Sequence, residues 1–379
     1  MTTADQLKST VVELIENARD ELETPAYIYS VEQVGVNYRD LKELLGTPLI
    51  VSIKANHCAE LLSRAASHFG DGYEVASLGE LRLRAGTKQK IYINTPAYSK
   101  KMVEVASRYN ATFIIDHVDQ LDSVIAVKQE RDFKNDLLLR VNVDALVRGA
   151  DAKLEDHFGM DLASLRQAIE RAKQAEIKVL GLHVFVGSNN FQKKAIATVA
   201  AVESLVDLVV EQLGYALDII NLGGGIPANW REKDIDFAAY RAAIAPLQAK
   251  ATVIHEAGRA IFGSAGYFLT SVVSRKAIQS TQIVVCDGGM AQNFLLAKTE
   301  HVIRKHEQPH IFAASKQSPT NYMFVGSSCN RDDVIGDAKS IYKDIKVGDK
   351  ILFENCGAYN ALYTVSKFLA LKEYKEYVI

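Results

Sequence analysis

At 379 residues the chain is long for one domain and suits two. Its composition, 48% apolar and 24% charged with a net charge of −2, is typical of a globular protein and argues against a broad nucleic-acid or membrane-binding surface. No stretch approaches the ~20 apolar residues of a membrane-spanning helix, and residues 1–30 lack a secretory-signal pattern, so we expect a cytoplasmic enzyme of small molecules.

Short runs rich in apolar and β-branched residues recur through the first two thirds of the chain. The stretches between them, such as residues 162–175, carry apolar residues at the i, i+3, i+4 spacing of a helix. Such alternation favours parallel strands joined by crossover helices. The predicted strands span residues 48–55, 73–77, 91–95, 112–116, 137–143, 179–186, 218–223 and 252–257.

Eight strand–helix units over about 230 residues fit the size of a (β/α)8 barrel. An open, doubly wound sheet is the alternative, because several common folds share this alternation. We therefore predict an α/β protein with a TIM-like barrel. The chain shows no internal repeat that would indicate a repeat architecture.

The pattern changes after Gly258, where strand-like runs separated by turn residues replace the helical periodicity. We predict a barrel over residues 31–258 and a C-terminal β-rich domain over residues 259–379. Residues 1–30 precede the first barrel strand, and we expect them to associate with the β-rich domain. The strand-like runs are residues 266–278, 281–289, 310–315, 321–328, 349–355 and 363–379.

Polar residues and glycines collect at the predicted carboxyl ends of the barrel strands. Catalytic groups of such barrels lie at that end, so this concentration supports the barrel more strongly than periodicity alone. The residues are Lys54, Ser77, Thr95, Asp116, Arg140, Asn142, His183, Phe185, Gly223 to Gly225, and Glu256.

Lys54 ends the apolar run LIVSIKAN. An amine at this position would lie near an apolar interior, which favours the neutral form that a Schiff base requires. The alternative is a lysine whose stem lies along the barrel mouth while its ammonium reaches water. Position alone leaves both interpretations open.

The last two barrel strands end in groups that suit an anionic, aromatic cofactor. Gly223, Gly224 and Gly225 free the backbone to turn and to point N–H groups at a phosphate, although such a run also occurs in plain tight turns. Glu256 could keep a pyridine nitrogen protonated, or could form a rim salt bridge with Arg259. Arg259 could itself bind a phosphate or a carboxylate through its planar guanidinium.

The four cysteines show no CxxC spacing and no disulfide framework, which fits a reducing compartment. Cys329 lies in the polar turn GSSCNRDD, where a reactive thiol is plausible and a packed loop thiol is the alternative. The other cysteines lie in strand or helix contexts typical of small buried hydrophobes: Cys58, Cys286 and Cys356.

Seven segments occur in order along the chain: VSIKANHCAELL, YEVASLGEL, LLLRVN, NLGGGIP, HEAGR, GSSCNRDD and GAYN. Together they resemble the fold-type III pyridoxal-phosphate decarboxylases, the group that contains the diaminopimelate and ornithine decarboxylases. The resemblance covers residues 24–368, nearly the whole chain. HEAGR differs from the family motif in that Ala257 replaces proline.

The resemblance implies an alanine-racemase-like barrel with pyridoxal 5'-phosphate as a Schiff base on Lys54 and Cys329 as the general acid. It also implies a homodimer in which the cysteine loop of one subunit closes over the lysine of the other. Glu256 would pair with the pyridine nitrogen and Tyr359 would contact the phosphate. The implied cofactor-binding residues are Lys54, Phe185, Ser188, Gly223, Gly224, Gly225, Glu256, Gly258, Arg259 and Tyr359.

Two positions depart from the family pattern. Phe185 stands where the family has a histidine that stacks on the cofactor; a phenyl ring can stack, but it cannot titrate or donate a hydrogen bond. Asn330 stands where enzymes for basic diamino acids have an acid, so one charge-assisted contact to a distal ammonium is lost. The positive charge of Arg331 also disfavours a distal ammonium, whereas Asp333 keeps the last acidic position of the family motif. We predict that Asn330, Arg331 and Asp333 contact the substrate.

These observations predict a carboxy-lyase that removes the α-carboxylate of an L- or D-amino acid or of a derivative such as a citryl-amino acid siderophore precursor. A diaminopimelate, ornithine or lysine decarboxylase is the first alternative. A racemase of the same fold would have a tyrosine where this chain has Cys329. A non-catalytic cofactor carrier would not need Cys329 and Tyr359. We predict no metal site and no nucleic-acid partner.

Overall fold

A computed structural model describes residues 3–131, 133–144, 156–297 and 308–379. The chain divides into two compact units. The barrel unit comprises Tyr38–His57 and Ser67–Ala260, and the sheet unit comprises Met1–Asn37, Cys58–Ala66 and Ile261–Ile379. The boundaries predicted from the sequence at residues 30 and 258 stay a prediction.

The barrel unit is built on eight parallel strands that close into a barrel, each paired with its neighbours in chain order. One of them lies at each of the eight predicted strand positions, so the predicted barrel is confirmed and the open-sheet alternative is wrong. The strands are β2 Leu49–Ser52, β3 Tyr73–Val75, β4 Ile91–Asn94, β5 Ala111–Ile115, β6 Asp136–Arg140, β7 Val179–His183, β8 Ile219–Asn221 and β9 Thr252–Ala257.

The helices begin at residues that suit helix N-termini. Ser77, Asp161 and Asp236 each accept a hydrogen bond from the backbone N–H three residues later, which caps an otherwise unpaired donor. In the described residues the helices are α1 Thr3–Ala18, α2 Val31–Leu45, α3 Ala59–Arg64, α4 Leu78–Leu83, α5 Lys100–Ala106, α6 Val118–Glu130, α7 Leu162–Gln174, α8 Phe191–Leu213, α9 Phe237–Gln248 and α10 Arg259–Phe262.

The interior of the barrel consists of an apolar layer followed by a polar layer. The apolar layer contains Ile50, Tyr92, Ile114, Leu138, Leu180, Ile219 and Ile254. Alternate residues of a strand share one face, so the residue two positions later continues each inner face toward the carboxyl end. On most strands that residue is polar, and the polar layer contains Ser52, Asn94, Asp116, Arg140, Asn221 and Glu256.

The sheet unit contains a mixed sheet in which the order of the main strands is β12-β15-β10-β11-β13-β14. The N-terminal strand β1, Ala26–Tyr29, pairs with β10 and with the C-terminal strand β16. Helix α1 packs on this sheet through Val11 and Ile15. The remaining strands are β10 Gly266–Ile278, β11 Thr281–Cys286, β12 His310–Phe312, β13 Ala314–Val325, β14 Val334–Asp344, β15 Lys350–Phe353 and β16 Lys375–Val378.

The β-rich domain predicted from the sequence is confirmed, but two of its details differ. Residues 363–374 were predicted as strand and form none, because β1 offers only four residues for pairing and these pair with Lys375–Val378. Strand β14, Val334–Asp344, was not predicted. Its second half is largely exposed and polar, so it lacks the alternation that marks a half-buried strand.

None of the helices in the described ranges has both the length and the apolar character that crossing a membrane requires.

Candidate active site

Lys54 lies in a 3-10 turn, Ile53–Ala55, directly after β2 and therefore at the predicted carboxyl end of the first barrel strand. Its Nζ donates to Oε1 of Glu74 at 2.6 Å; the lysine side chain is 40% exposed and the glutamate is fully buried. A buried carboxylate therefore contacts the amine at the rim, and the role of Lys54 as the Schiff-base lysine stays a prediction.

Glu74 is a residue of this rim that the sequence patterns did not single out. It lies in β3, whose residues are all buried. Asn94 Nδ2 donates to Oε1 of Glu74 at 3.0 Å, and Ser52 Oγ donates to Oε2. Together with Lys54 these donors satisfy a carboxylate that is shielded from water. The available signal was a lone acid inside the apolar run YEVAS.

Gly223, Gly224 and Gly225 form the turn after β8. Gly223 and Gly225 have φ values of +64° and +94°, in the left-handed region that favours glycine. A Cβ on Gly223 would lie 2.3 Å from the carbonyl oxygen of Val184, and one on Gly224 would lie 2.5 Å from that of Glu256. The turn is thus packed against the ends of β7 and β9, at the rim where barrels of this kind bind phosphate.

Glu256 is the buried acid of this rim. Its Oε1 accepts a hydrogen bond from Asn221 Nδ2 at 2.8 Å and lies 3.4 Å from Nε2 of His183. Burial alone would raise the pKa of Glu256, but nearby His183 and Lys54, together with the amide hydrogen bond, lower that pKa well below its usual range. Within the described ranges no hydrogen-bond donor reaches Oε2.

His183 ends β7 and is 1% exposed. A register shift between β6 and β7 precedes it, and its ring reaches Glu256 in the polar layer of the barrel. Neither of its ring nitrogens has a hydrogen-bond partner among the residues that the structure describes. The contact of this buried imidazole with Glu256 Oε1, at 3.4 Å, is an ion-pair distance that is longer than a normal hydrogen bond.

Phe185 lies two residues beyond β7 and is half-buried. Its Cδ2 atom would lie 3.3 Å from a Cβ placed on Gly223, so the phenyl ring lies against the glycine turn. Ser188 is exposed in the same loop, before α8 begins. The structure therefore brings Phe185 and Gly223 together at the rim.

Gly258 follows β9 and joins it to the short helix α10. A Cβ at this position would lie 2.8 Å from the Cβ of Ala55 and 2.8 Å from the carbonyl oxygen of Ser52. The end of β9 is thus packed against the turn that carries Lys54, which only glycine permits. Arg259, the first residue of α10, is half-buried.

Arg140 and Asn142 organise the rim after β6. Arg140 lies 3.2 Å from Oδ1 of Asp116 and stacks over the ring of Phe158 at 4.5 Å. Asn142 Nδ2 donates to the carbonyl oxygens of Asp156 and Phe158. A cavity of about 260 Å³ adjoins these residues, and its lining includes Arg140, Asn142, Phe158, Phe185, Asn190 and Lys194.

Cys329 is exposed on a loop of the sheet unit between β13 and β14. The side chain of Asn330 accepts a hydrogen bond from the N–H of Asp332 at 2.9 Å. Asp333 is buried, and its carboxylate accepts bonds from Met290 N at 2.7 Å and from the N–H and hydroxyl of Ser328. A contact between Asp333 and a substrate stays a prediction.

Tyr359 lies in the sheet unit with φ +69°, and it is half-buried. Its carbonyl oxygen accepts hydrogen bonds from the N–H groups of Leu362 and Tyr363. A non-glycine residue in this conformation is strained by roughly 1–3 kcal/mol, and such strain concentrates at functional sites. A contact of Tyr359 with the cofactor phosphate stays a prediction.

Replacing Asp333 by alanine is expected to loosen the Cys329 loop. The buried N–H of Met290 and the partly buried N–H of Ser328 would lose their acceptor, at a cost of about 1–3 kcal/mol for the buried group. Hydrogen exchange at these two amides should become faster, while cofactor binding by the barrel unit is retained. Asp332→Ala is the control, and equal exchange rates in the two variants would contradict this role.

The residues of the barrel unit fit pyridoxal phosphate, the cofactor that the resemblance implies. Lys54 offers an amine at the rim, and the glycine turn lies where phosphate binds in such barrels. Glu256 has one carboxylate oxygen with no donor among the described residues, so a protonated ring nitrogen would give it a charge-assisted partner. Phe185 offers an aromatic face beside the same turn.

Comparison with known proteins supports this fit. A family model described as pyridoxal-dependent decarboxylase, pyridoxal binding domain, matches residues 32–263. The L-glutamyl-[BtrI acyl-carrier protein] decarboxylase of Niallia circulans is 26% identical, over 92% of this chain and 86% of that protein. The diaminopimelate decarboxylase of Deinococcus radiodurans is 30% identical, over 73% of this chain and 71% of that protein. The arginine decarboxylase of Paramecium bursaria Chlorella virus, bound to agmatine, shares the fold, with a TM-score of 0.82 and 19% identity over 98% of this chain and 100% of that chain.

Proposed function

The chain belongs to the pyridoxal-dependent decarboxylase family, and on this basis we propose that it removes the α-carboxylate of an amino acid whose side chain does not end in a free ammonium group. The observation that carries the proposal is Asn330, a neutral residue beside Cys329 whose side-chain oxygen is already bonded to the N–H of Asp332. A neutral amide cannot balance the charge of a buried ammonium.

Four features of the barrel unit hold the cofactor in this proposal. Lys54 would hold it through Nζ, the turn at residues 223–225 would receive its phosphate, Glu256 would pair with its ring nitrogen, and Phe185 would offer an aromatic face to the ring. Pyridoxal phosphate, when bound, supplies the sink for the electron pair that the departing carboxylate leaves behind. Because nearby His183 and Lys54 hold its pKa low, Glu256 stays ionised and would keep a neighbouring ring nitrogen protonated.

Cys329 gives its thiol proton to the α-carbon after CO2 has left, and water then returns a proton to the thiolate. Cys329 belongs to the sheet unit and Lys54 to the barrel unit. In the proposed enzyme the cysteine comes from the second subunit of a homodimer, as the family resemblance implies. Phe185 differs from the usual histidine in that its ring neither titrates nor donates a hydrogen bond, so the proton chemistry depends on the other residues.

The substrate is proposed to be an amino acid whose side chain ends in an acyl linkage, either a thioester of its side-chain carboxyl group or an amide of its side-chain amino group. Asn330 is neutral where enzymes for basic diamino acids have an acid, and Arg331 beside it is positive. The carboxylate of Asp333 accepts hydrogen bonds from Met290 N and from the hydroxyl of Ser328. The relative in Niallia circulans acts, by its name, on a glutamyl group carried by an acyl-carrier protein, which has no distal ammonium. An amino acid conjugated to citrate, as a siderophore precursor, belongs to the same chemical class.

Release of CO2 from a panel of substrates tests this proposal. The panel contains free lysine, ornithine, arginine and diaminopimelate, and also γ-glutamyl thioesters and citryl-amino acids. We expect the acylated substrates to be turned over with kcat/KM at least about tenfold higher than the free diamino acids, since one lost charge pair is worth roughly that factor. A preference for a free diamino acid would overturn the proposed substrate class.

Asn330→Asp should shift this preference toward the free diamino acids. The new carboxylate can still accept the hydrogen bond from Asp332 N–H and adds a negative charge for a distal ammonium, so we expect kcat/KM for lysine or ornithine to rise about tenfold. Asn330→Ser, which keeps a neutral acceptor, is the matched control. If kcat/KM for lysine or ornithine rose in both variants, or in neither, the charge at position 330 would not be the feature that selects the substrate.

A further inference from the structure

Asn221 lies between the two elements proposed to hold opposite ends of the cofactor. It is fully buried at the end of β8. Its Nδ2 donates to Oε1 of Glu256 at 2.8 Å, and its Oδ1 accepts from the N–H of Gly223 at 2.9 Å. The N–H of Glu256 also donates to the carbonyl oxygen of Gly223 at 2.8 Å. One amide side chain thus joins the buried acid to the first residue of the glycine turn.

A neutral amide is chemically well matched to this position. It must donate to a carboxylate on one side and accept from a backbone N–H on the other, and it must do both without adding charge to a buried layer. An apolar side chain of similar volume would leave the Gly223 N–H unpaired. A carboxylate at position 221 would face Glu256 Oε1 across a hydrogen-bond distance, where two negative charges cannot both persist.

The surroundings of Glu256 give its two oxygens different roles. Oε1 contacts Asn221 and lies 3.4 Å from His183, which is buried and has no hydrogen-bond partner among the described residues. Oε2 receives no hydrogen bond within the described part of the chain. The protein therefore fixes one oxygen and leaves the other for a ligand, and Asn221 is the residue that fixes it.

We propose that Asn221 is a positioning residue that holds the Glu256 carboxylate and the amide of Gly223 as one rigid unit, so that the ring-nitrogen contact and the phosphate turn keep a fixed spacing. The inference rests on the proposed function, because it assumes that these two elements bind pyridoxal phosphate. It goes beyond that function by assigning the coupling between both ends of the cofactor to a residue that contacts neither end.

The variant Asn221→Asp keeps the hydrogen bond from Gly223 N–H and makes the hydrogen bond to Glu256 depend on pH. Its carboxyl oxygen can still accept from Gly223 N–H, but donation to Glu256 Oε1 then requires a proton shared between the two acids. At low pH that proton is present and the unit is intact; as the pH rises the proton is lost and the two carboxylates repel. The other titratable groups that interact electrostatically with Glu256 are His183, Lys54, Tyr92 and His255.

The experiment measures the dissociation constant of pyridoxal phosphate by equilibrium dialysis between pH 5.5 and 8.5. We expect Asn221→Asp to bind within about threefold of wild type at the acidic end and at least about tenfold more weakly at the alkaline end, because like charges replace a hydrogen bond. Wild type should show no loss of this size over the same range. Asn229→Asp is the matched control: this amide of the barrel unit also donates to a carboxylate, that of Glu232 at 3.4 Å, but at the surface where water solvates both acids, and its pH profile should follow wild type.

Asn221→Ser, which is too short to span both partners, provides a second test that does not depend on the charged variant being folded. We expect it to weaken cofactor binding at least about tenfold, because it cannot bond both partners. The loss should be the same at every pH, because serine does not titrate in this range. If both Asn221 variants bound pyridoxal phosphate with the affinity and the pH dependence of wild type, the inference would be overturned. If instead wild-type protein fails to bind the cofactor, the proposed function fails, and the two failures are thereby distinguished.

Discussion

Lys54→Ala is expected to abolish the visible absorbance band of the bound cofactor and to lower kcat by at least about a thousandfold, as loss of a covalent catalytic group typically does. The lysine lies at the carboxyl rim of the barrel, and its Nζ is the amine that the proposal assigns to the covalent link. Absorbance spectra after addition of pyridoxal phosphate and single-turnover release of CO2 measure the two effects.

Lys42→Ala is a closely matched control. Lys42 also belongs to the barrel unit, is 40% exposed like Lys54, and pairs with a carboxylate, that of Asp71, at 2.7 Å. Its removal should leave the band intact. The Lys54 variant leaves Glu74 buried without its ammonium partner, so folding is checked by circular dichroism, and Lys54→Arg restores the charge without a nucleophilic amine. A visible band in either Lys54 variant would contradict the central assignment.

Cys329→Ala is expected to lower kcat about a hundredfold, within the roughly 10²–10⁴ range that a positioned general acid contributes. Part of the remaining turnover should protonate the wrong carbon, which changes the ratio of CO2 to amine product. The affinity for pyridoxal phosphate should be unchanged, because Cys329 is not among the residues proposed to bind the cofactor. Ser327→Ala, an exposed neighbour in the same loop, is the control.

Mixing the two inactive variants tests whether Cys329 acts on the lysine of another subunit. Random re-association of equal amounts of Lys54→Ala and Cys329→Ala chains makes half of the dimers mixed, each with one complete site, so about a quarter of wild-type activity should return. Recovery would require a site shared between subunits. No recovery, with dimers demonstrated by light scattering, would place the cysteine and the lysine of one site in the same chain.

Local patterns in the sequence were enough to locate the barrel. The alternation of apolar runs and amphipathic stretches depends only on neighbouring residues, and all eight strand positions, from 48–55 to 252–257, were therefore predictable. Strand β14 was missed because its outer half is polar and exposed. Residues 363–374 carry apolar residues but form no strand, since β1 offers them no partner.

The sequence by itself determined the fold class, the family, and the positions of Lys54, Glu256 and the glycine turn at strand ends. It could not show that Glu74 pairs with Lys54, because those two residues are brought together only by the pairing of β2 with β3. The tertiary structure also decided that Asp333 turns inward to fold its loop and that Asn221 joins the acid to the turn. Hydrogen bonds between strands depend on register and barrel closure, which no single segment encodes.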